Sequence, residues 1–158
     1  MRYPMHGDAG RRRTRARGLL RSMGMESTKP TKSSKDIAIL VVDDDAMLLR
    51  MNQIVLDDLG YRVQLAASGT EALDRIGENH GAFDLVVLDQ RLPDREGLSV
   101  MREAKQLYPD LRFMLVTGYA AEDVVAEMLA AGAVRVLDKP YDIDQFADAV
   151  KNAIESGG

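Results

Sequence analysis

The chain has 158 residues, 46% of them hydrophobic and 29% charged, with no cysteine and a formal net charge of −4. This balance predicts one globular core and excludes disulfides, thiolate metal sites and cysteine nucleophiles. No apolar run approaches the roughly 20 residues that span a bilayer, and the basic N-terminus is not followed by the apolar run of a secretory signal, so a cytoplasmic protein is expected.

The charge is unevenly distributed. Through Lys35, ten Lys or Arg face two acids, a balance of +8; from Asp36 onward eleven face twenty-three, a balance of −12. Residues 1–35, with "RRRTRAR" at 11–17 and "STKPTKSSK" at 27–35, lack the apolar spacing that buries a face. They are read as disordered and receive no secondary structure. Met23 and Met25 lie just before this linker, and translation from either is an alternative to the full chain. A basic arm suits nucleic acid or another anionic surface through counterion release. Yet Tyr3 is its only aromatic residue and no helical motif is present, which makes nucleic acid the weaker reading.

From residue 36 to 156, short apolar runs alternate with helical periodicity. The spacing predicts strands at 37–42, 61–66, 83–88, 112–117 and 134–137, and helices at 46–59, 69–78, 98–107, 121–131 and 142–155. In the first helix Met47, Met51, Ile54 and Val55 follow core spacing, and Gly60 and Gly132 stand where helices stop. "DLVVLD" and "FMLVTG" are apolar without alternation, as in parallel strands covered on both faces. Five βα units of this kind predict a three-layer, doubly wound α/β sandwich.

In such folds ligands gather beyond the carboxyl ends of the strands. Those ends carry Asp43 and Asp44, then Asp89, Thr117, and finally Asp138, Lys139 and Pro140; the second strand ends in "AAS", which offers little chemistry. Three consecutive aspartates, Asp43 to Asp45, repel one another unless water or a cation sits among them. A hard divalent cation such as Mg²⁺ takes oxygen ligands and relieves that repulsion. Beside it a carboxylate can act as nucleophile toward phosphorus, while a lysine and a hydroxyl hold the remaining oxygens. Asp89, Lys139 and Thr117 supply those parts.

The segments "VVDDD" (41–45), "DLVVLDQRLPDREG" (84–97), "LVTGY" (115–119) and "VLDKPYD" (136–142) closely resemble the receiver domain of two-component response regulators. The resemblance spans residues 36 to about 156 and implies the sheet order 2-1-3-4-5. It implies Asp89 as phosphoacceptor, Asp44 as a direct ligand of Mg²⁺ or Mn²⁺, Asp43 as an acidic partner, and the Arg91 backbone carbonyl as a third protein ligand. Thr117 and Lys139 would bind the phosphoryl oxygens, with a cis peptide at Lys139–Pro140. A histidine kinase or histidine phosphotransfer protein is the implied donor.

Other residues have plainer readings. Asp45 is expected to cap a helix, Asp94 and Glu96 to be solvated loop residues, and His6 and His80 to be exposed. The nine methionines are read as core filling and start codons. Three positions depart from or tune the family pattern. Val136 stands three residues before the lysine, where an aromatic ring often rotates inward on activation, so Tyr119 becomes the candidate switch residue. Arg91 and Tyr119, each two residues past a key position, are expected to shield the acyl phosphate and lengthen its lifetime.

Only "SGG" follows the last predicted helix, so no output domain is expected and a stand-alone receiver or relay intermediate is predicted. "TGYA" and "RVLDKPYD" also resemble receivers attached to hybrid kinases. A homodimer through the fourth helix, fifth strand and fifth helix is a further expectation. A phosphate-independent interaction module is disfavoured because the acids and lysine are all kept. A flavin or nucleotide binder is disfavoured because "DDDAM" puts negative charge where a phosphate needs N–H groups.

Overall fold

The computed structural model describes residues 32–156. The chain divides into two units, Met1–Lys32 and Ser33–Gly158, and the sheet and its helices all belong to the second. The basic run at 11–17, the alternative starts Met23 and Met25, and His6 lie outside the described residues.

Five strands, β1 (Ala38–Val42), β2 (Arg62–Ala66), β3 (Leu85–Asp89), β4 (Phe113–Thr117) and β5 (Arg135–Asp138), form one parallel sheet in the order β2-β1-β3-β4-β5. They alternate with α1 (Ala46–Asp58), α2 (Gly69–Glu78), α3 (Gly97–Leu107), α4 (Glu122–Ala130) and α5 (Ile143–Glu155). The predicted elements are all present within two residues of their expected ends. One short element was not foreseen: Ser34–Asp36 form a single 3-10 turn before β1, across the end of the segment assigned no structure.

The side-chain period of two along each strand sorts the core into halves. Leu40, Val42, Val86, Leu88, Phe113 and Leu115 pack with α2, α3 and α4 through Ile76, Met101 and Met128. Ile39, Val41, Leu85, Val87, Met114 and Val116 pack on the other face with Leu56 of α1 and Phe146 and Val150 of α5. Central strands buried on both faces read as continuous apolar runs for this reason.

The core face of α1 is corrected. Leu49, Asn52 and Leu56 are buried, whereas Met47, Met51 and Ile54 are 78%, 48% and 55% exposed; of the predicted set only Val55 packs against the core. Two stripes of helical spacing coexist on this helix. They lie about two residues apart, or roughly 200° around the axis, so they face opposite ways. Periodicity alone does not say which one meets the sheet. The methionines divide accordingly: Met101, Met114 and Met128 fill the core, Met47 and Met51 do not, and the other four lie outside the described residues.

Gly60 and Gly132 follow α1 and α4 with φ of +92° and +115°, the left-handed stops that their positions predicted. Gly97 is required for a different reason. A Cβ there would lie 2.4 Å from the Asp89 carbonyl oxygen, so only glycine lets α3 begin against the end of β3. Among the described residues, no helix is long and apolar enough to cross a membrane.

Candidate functional site

The carboxyl ends of β1, β3, β4 and β5 bring the predicted residues together. Asp43 extends β1, its N–H donating to the Ala66 carbonyl at 3.1 Å, and its side chain is buried at 4% exposure. One of its carboxylate oxygens accepts the Asp45 N–H at 2.9 Å; the other accepts from the Lys139 ammonium at 3.2 Å. Lys139 also donates to Asp89 Oδ2 at 3.2 Å. A single ammonium therefore bridges two buried carboxylates contributed by different strands. The lysine reaches them from the loop after β5, where the Lys139–Pro140 bond is cis, as expected, and where its own N–H is held by the Thr117 carbonyl at 2.8 Å.

Asp44 is exposed and completes a group of three carboxylates: one oxygen each from Asp43, Asp44 and Asp89 lie within 4.8 Å of one another. One ammonium among three carboxylates leaves an excess of negative charge. Burial raises the Asp89 pKa above its ordinary 3.8, and the neighbouring Asp43 adds to the rise against the opposing pull of Lys139 and the Arg91 N–H. At Lys139 burial works against the charged form, but Asp89 and Asp43 together outweigh it and the pKa is raised. The ammonium is stabilised by both acids, while each acid shares it. Such a set of hard, under-neutralised oxygens fits a divalent cation of the Mg²⁺ kind.

Thr117 is buried at the end of β4, and its hydroxyl is engaged locally: it accepts the Tyr119 N–H at 3.0 Å and donates to the Tyr119 carbonyl at 3.3 Å. Beside Asp89 opens a cleft of about 340 Å³ lined by Asp89, Gln90, Arg91, Gly118, Tyr119 and Lys139. Arg91 and Tyr119, the latter 66% exposed, thus flank the acidic group. Val136 is half-buried against the core half that contains Met128.

Asp45 caps α1, accepting the N–H groups of Met47 at 3.0 Å and Leu48 at 3.2 Å, the role expected for it. Asp94 is corrected. It is exposed but not merely solvated, because it accepts from Gly69 N–H at 2.8 Å, Thr70 N–H at 2.8 Å and the Thr70 hydroxyl at 2.6 Å. The Thr70 hydroxyl and these two N–H groups lower its pKa to about 2. It ties the loop after β3 to the start of α2. Gln90 holds the same loop, its side chain accepting the Leu98 N–H at 2.9 Å. Glu96 precedes α3 without capping it, and His80 is exposed. Sequence reasoning missed one further polar contact, between the Asn52 amide and the Tyr141 hydroxyl at 3.0 Å. A correct assignment of the core face of α1 would have exposed it as a polar residue in an apolar stripe.

The response regulator receiver domain family matches residues 39–151. The chain belongs to this family. Its receiver is 35% identical over 122 residues to the transcriptional regulatory protein ZraR of Klebsiella oxytoca, covering 77% of this chain but 27% of that protein. It is 34% identical over 113 residues to sporulation initiation phosphotransferase F of Bacillus subtilis, covering 72% of this chain and 90% of that one. Among solved structures, a CheY-like receiver domain protein from Methanospirillum hungatei superposes with a TM-score of 0.69 at 33% identity, over 75% of this chain and 94% of the other. The chain spans about a quarter of the length of the transcriptional regulators it matches. Receivers of this family take phosphoryl groups from histidine kinases or phosphotransfer proteins in two-component signalling.

Proposed function

We propose that this receiver accepts a phosphoryl group on Asp89 in a Mg²⁺-dependent reaction and signals by phosphorylation-dependent protein binding or onward relay. The observation that carries the reading is the Lys139 ammonium held at 3.2 Å from both Asp43 and Asp89, beside the third carboxylate of Asp44. Asp43, Asp44, Asp89 and the Arg91 carbonyl would hold the metal. When bound, Mg²⁺ or Mn²⁺ neutralises charge on the carboxylates and on the transferring group.

The chain's own groups divide the remaining work. An Asp89 carboxylate oxygen forms a bond to phosphorus as the bond to the donor's imidazole nitrogen, or to a small donor's oxygen, breaks, and the leaving atom keeps the electron pair. Burial strips water from that carboxylate, and Lys139 is already placed to meet a developing oxyanion. The Thr117 hydroxyl has to leave its bonds with Tyr119 to bind a phosphoryl oxygen, so the β4–α4 loop is the segment expected to move. Its readout surface is the neighbouring α4, β5 and α5 face, where a second copy or another protein would bind.

The test is intact-protein mass after incubation with acetyl phosphate, with Mg²⁺ and with chelator. A Mg²⁺-dependent gain of one phosphoryl group, absent in Asp89→Asn, is expected. No gain in the parent from acetyl phosphate or from a phosphorylated histidine donor would overturn the reading.

A further inference from the structure

Among the described residues four polar side chains are buried: Asp43, Asp89, Thr117 and Asn52. The first three make the site. Asn52 stands on the sheet-facing stripe of α1, flanked by Leu49 and Leu56, and is 4% exposed. Its amide donates to the Tyr141 hydroxyl at 3.0 Å, and the Tyr141 ring stacks on Phe146 of α5 with centroids 5.4 Å apart and planes 21° from parallel. Tyr141 lies two residues beyond Lys139.

We propose that Asn52 and Tyr141 are a positioning pair that sets Lys139 over Asp89, an inference that rests on the phosphoryl-transfer reading above. The Lys139 side chain is 27% exposed, so burial alone does not fix it. The loop that carries it has three anchors. The Lys139 N–H binds the Thr117 carbonyl, Asp142 caps α5 in a reciprocal pair with Gln145, and Tyr141 reaches Asn52. The first two bind this loop to β4 and α5. Only the third reaches α1, the helix that begins directly after Asp43, Asp44 and Asp45. The pair therefore couples the lysine's loop to the acidic loop whose Asp43 and partner Asp89 the lysine must span.

A buried hydrogen-bonded pair that serves packing alone can be replaced by apolar residues of similar shape at little cost to stability. A positioning pair cannot be replaced without cost to rate, since small displacements in a phosphoryl-transfer site are expensive. The experiment compares the parent, Tyr141→Phe, Asn52→Leu and the double variant Asn52→Leu/Tyr141→Phe. It reads melting temperature, Mg²⁺ affinity by calorimetry, and the acetyl phosphate dependence of phosphorylation. The double variant is expected to melt near the parent and bind Mg²⁺ equally, with a maximal phosphorylation rate about tenfold lower and little change in half-saturating donor. In a Lys139→Met background the same substitutions are expected to have no further effect on rate.

Parent-like rates in the double variant and in Tyr141→Phe would overturn the proposal, as would an undiminished effect in the Lys139→Met background. A parallel loss of Mg²⁺ affinity would place the effect on the acidic loop and overturn it too. If the double variant fails to fold, Tyr141→Phe, which keeps the ring stack, decides by the same criteria. A parent that accepts no phosphoryl group from any donor removes the function reading and this inference with it, whereas an active parent with unaffected variants removes only this inference.

Discussion

Asp89 ends β3 and Asp94 lies in the loop that follows, yet their environments push them in opposite directions. Asp89 has a raised pKa in the folded chain, so ionising it costs stability. That cost begins at its ordinary 3.8 and is complete once the pH exceeds the raised value. In chelator at neutral pH, Asp89→Asn should therefore be more stable than the parent. The difference should shrink as the pH falls through the raised value toward 3.8, and urea unfolding across that range would show it. Arg91 and Tyr119 flank the cleft at Asp89 with exposed side chains. Arg91→Ala and Tyr119→Ala should lose the acyl phosphate several-fold faster than the parent by letting water in. Unchanged decay in both variants, followed by intact mass, would remove the shielding role.

At the scale of elements, the helices are started by acids in more than one way. Asp45 caps α1 and Asp142 caps α5 from within their own loops, whereas at α2 Ser68 is the N-cap and Asp94 adds to it from the loop after β3, accepting the Gly69 and Thr70 N–H groups. Local sequence shows the first, because the cap precedes its helix, and it marks the second only as the first residue of the helix expected at 142–155. It does not show the part of Asp94, because Asp94 and Gly69 are 25 residues apart and meet only when the sheet aligns their loops. The Asp94 carboxylate titrates near 2 instead of 3.8, so its contribution is present above 3.8 and fades as the pH falls toward 2. Asp94→Ala should unfold more readily than the parent at neutral pH, with the gap closing in acid. Amide exchange at Gly69 and Thr70 should accelerate in the same variant. The face of α1 illustrates a related blindness: Met47, Met51 and Ile54 have the spacing of a core stripe, but Leu49, Asn52 and Leu56 hold the buried positions.

Across the described residues of the second unit one sheet separates two apolar halves, and the site sits where the sheet's central strands end between them. Phe113 on β4 is fully buried in the half beneath α2, α3 and α4. Phe113→Ala should cost about 3–5 kcal/mol by transfer and cavity terms. It should do so without changing the local contacts of Lys139, so the folded fraction should still be phosphorylated at Asp89. A thermal melt paired with the acetyl phosphate assay would separate the two effects.

Periodicity, strand-end aspartates and four short motifs were enough to determine the strand and helix order, the three-layer class, and the set Asp43, Asp44, Asp89, Thr117 and Lys139. The order and class follow from side-chain period, and the strand-end rule of parallel sheets gathers the candidate residues, while the choice among them, Thr117 above all, rests on the resemblance of the four motifs to receivers. Tertiary structure decided what depends on long-range packing. It alone chose between the two apolar stripes of α1, brought Asp94 to the start of a distant helix, and joined Asn52 to Tyr141 across 89 residues. It also placed one ammonium between two carboxylates, which no spacing in the chain specifies, because the distance from Lys139 to Asp43 and Asp89 is set by how three strands and their loops pack.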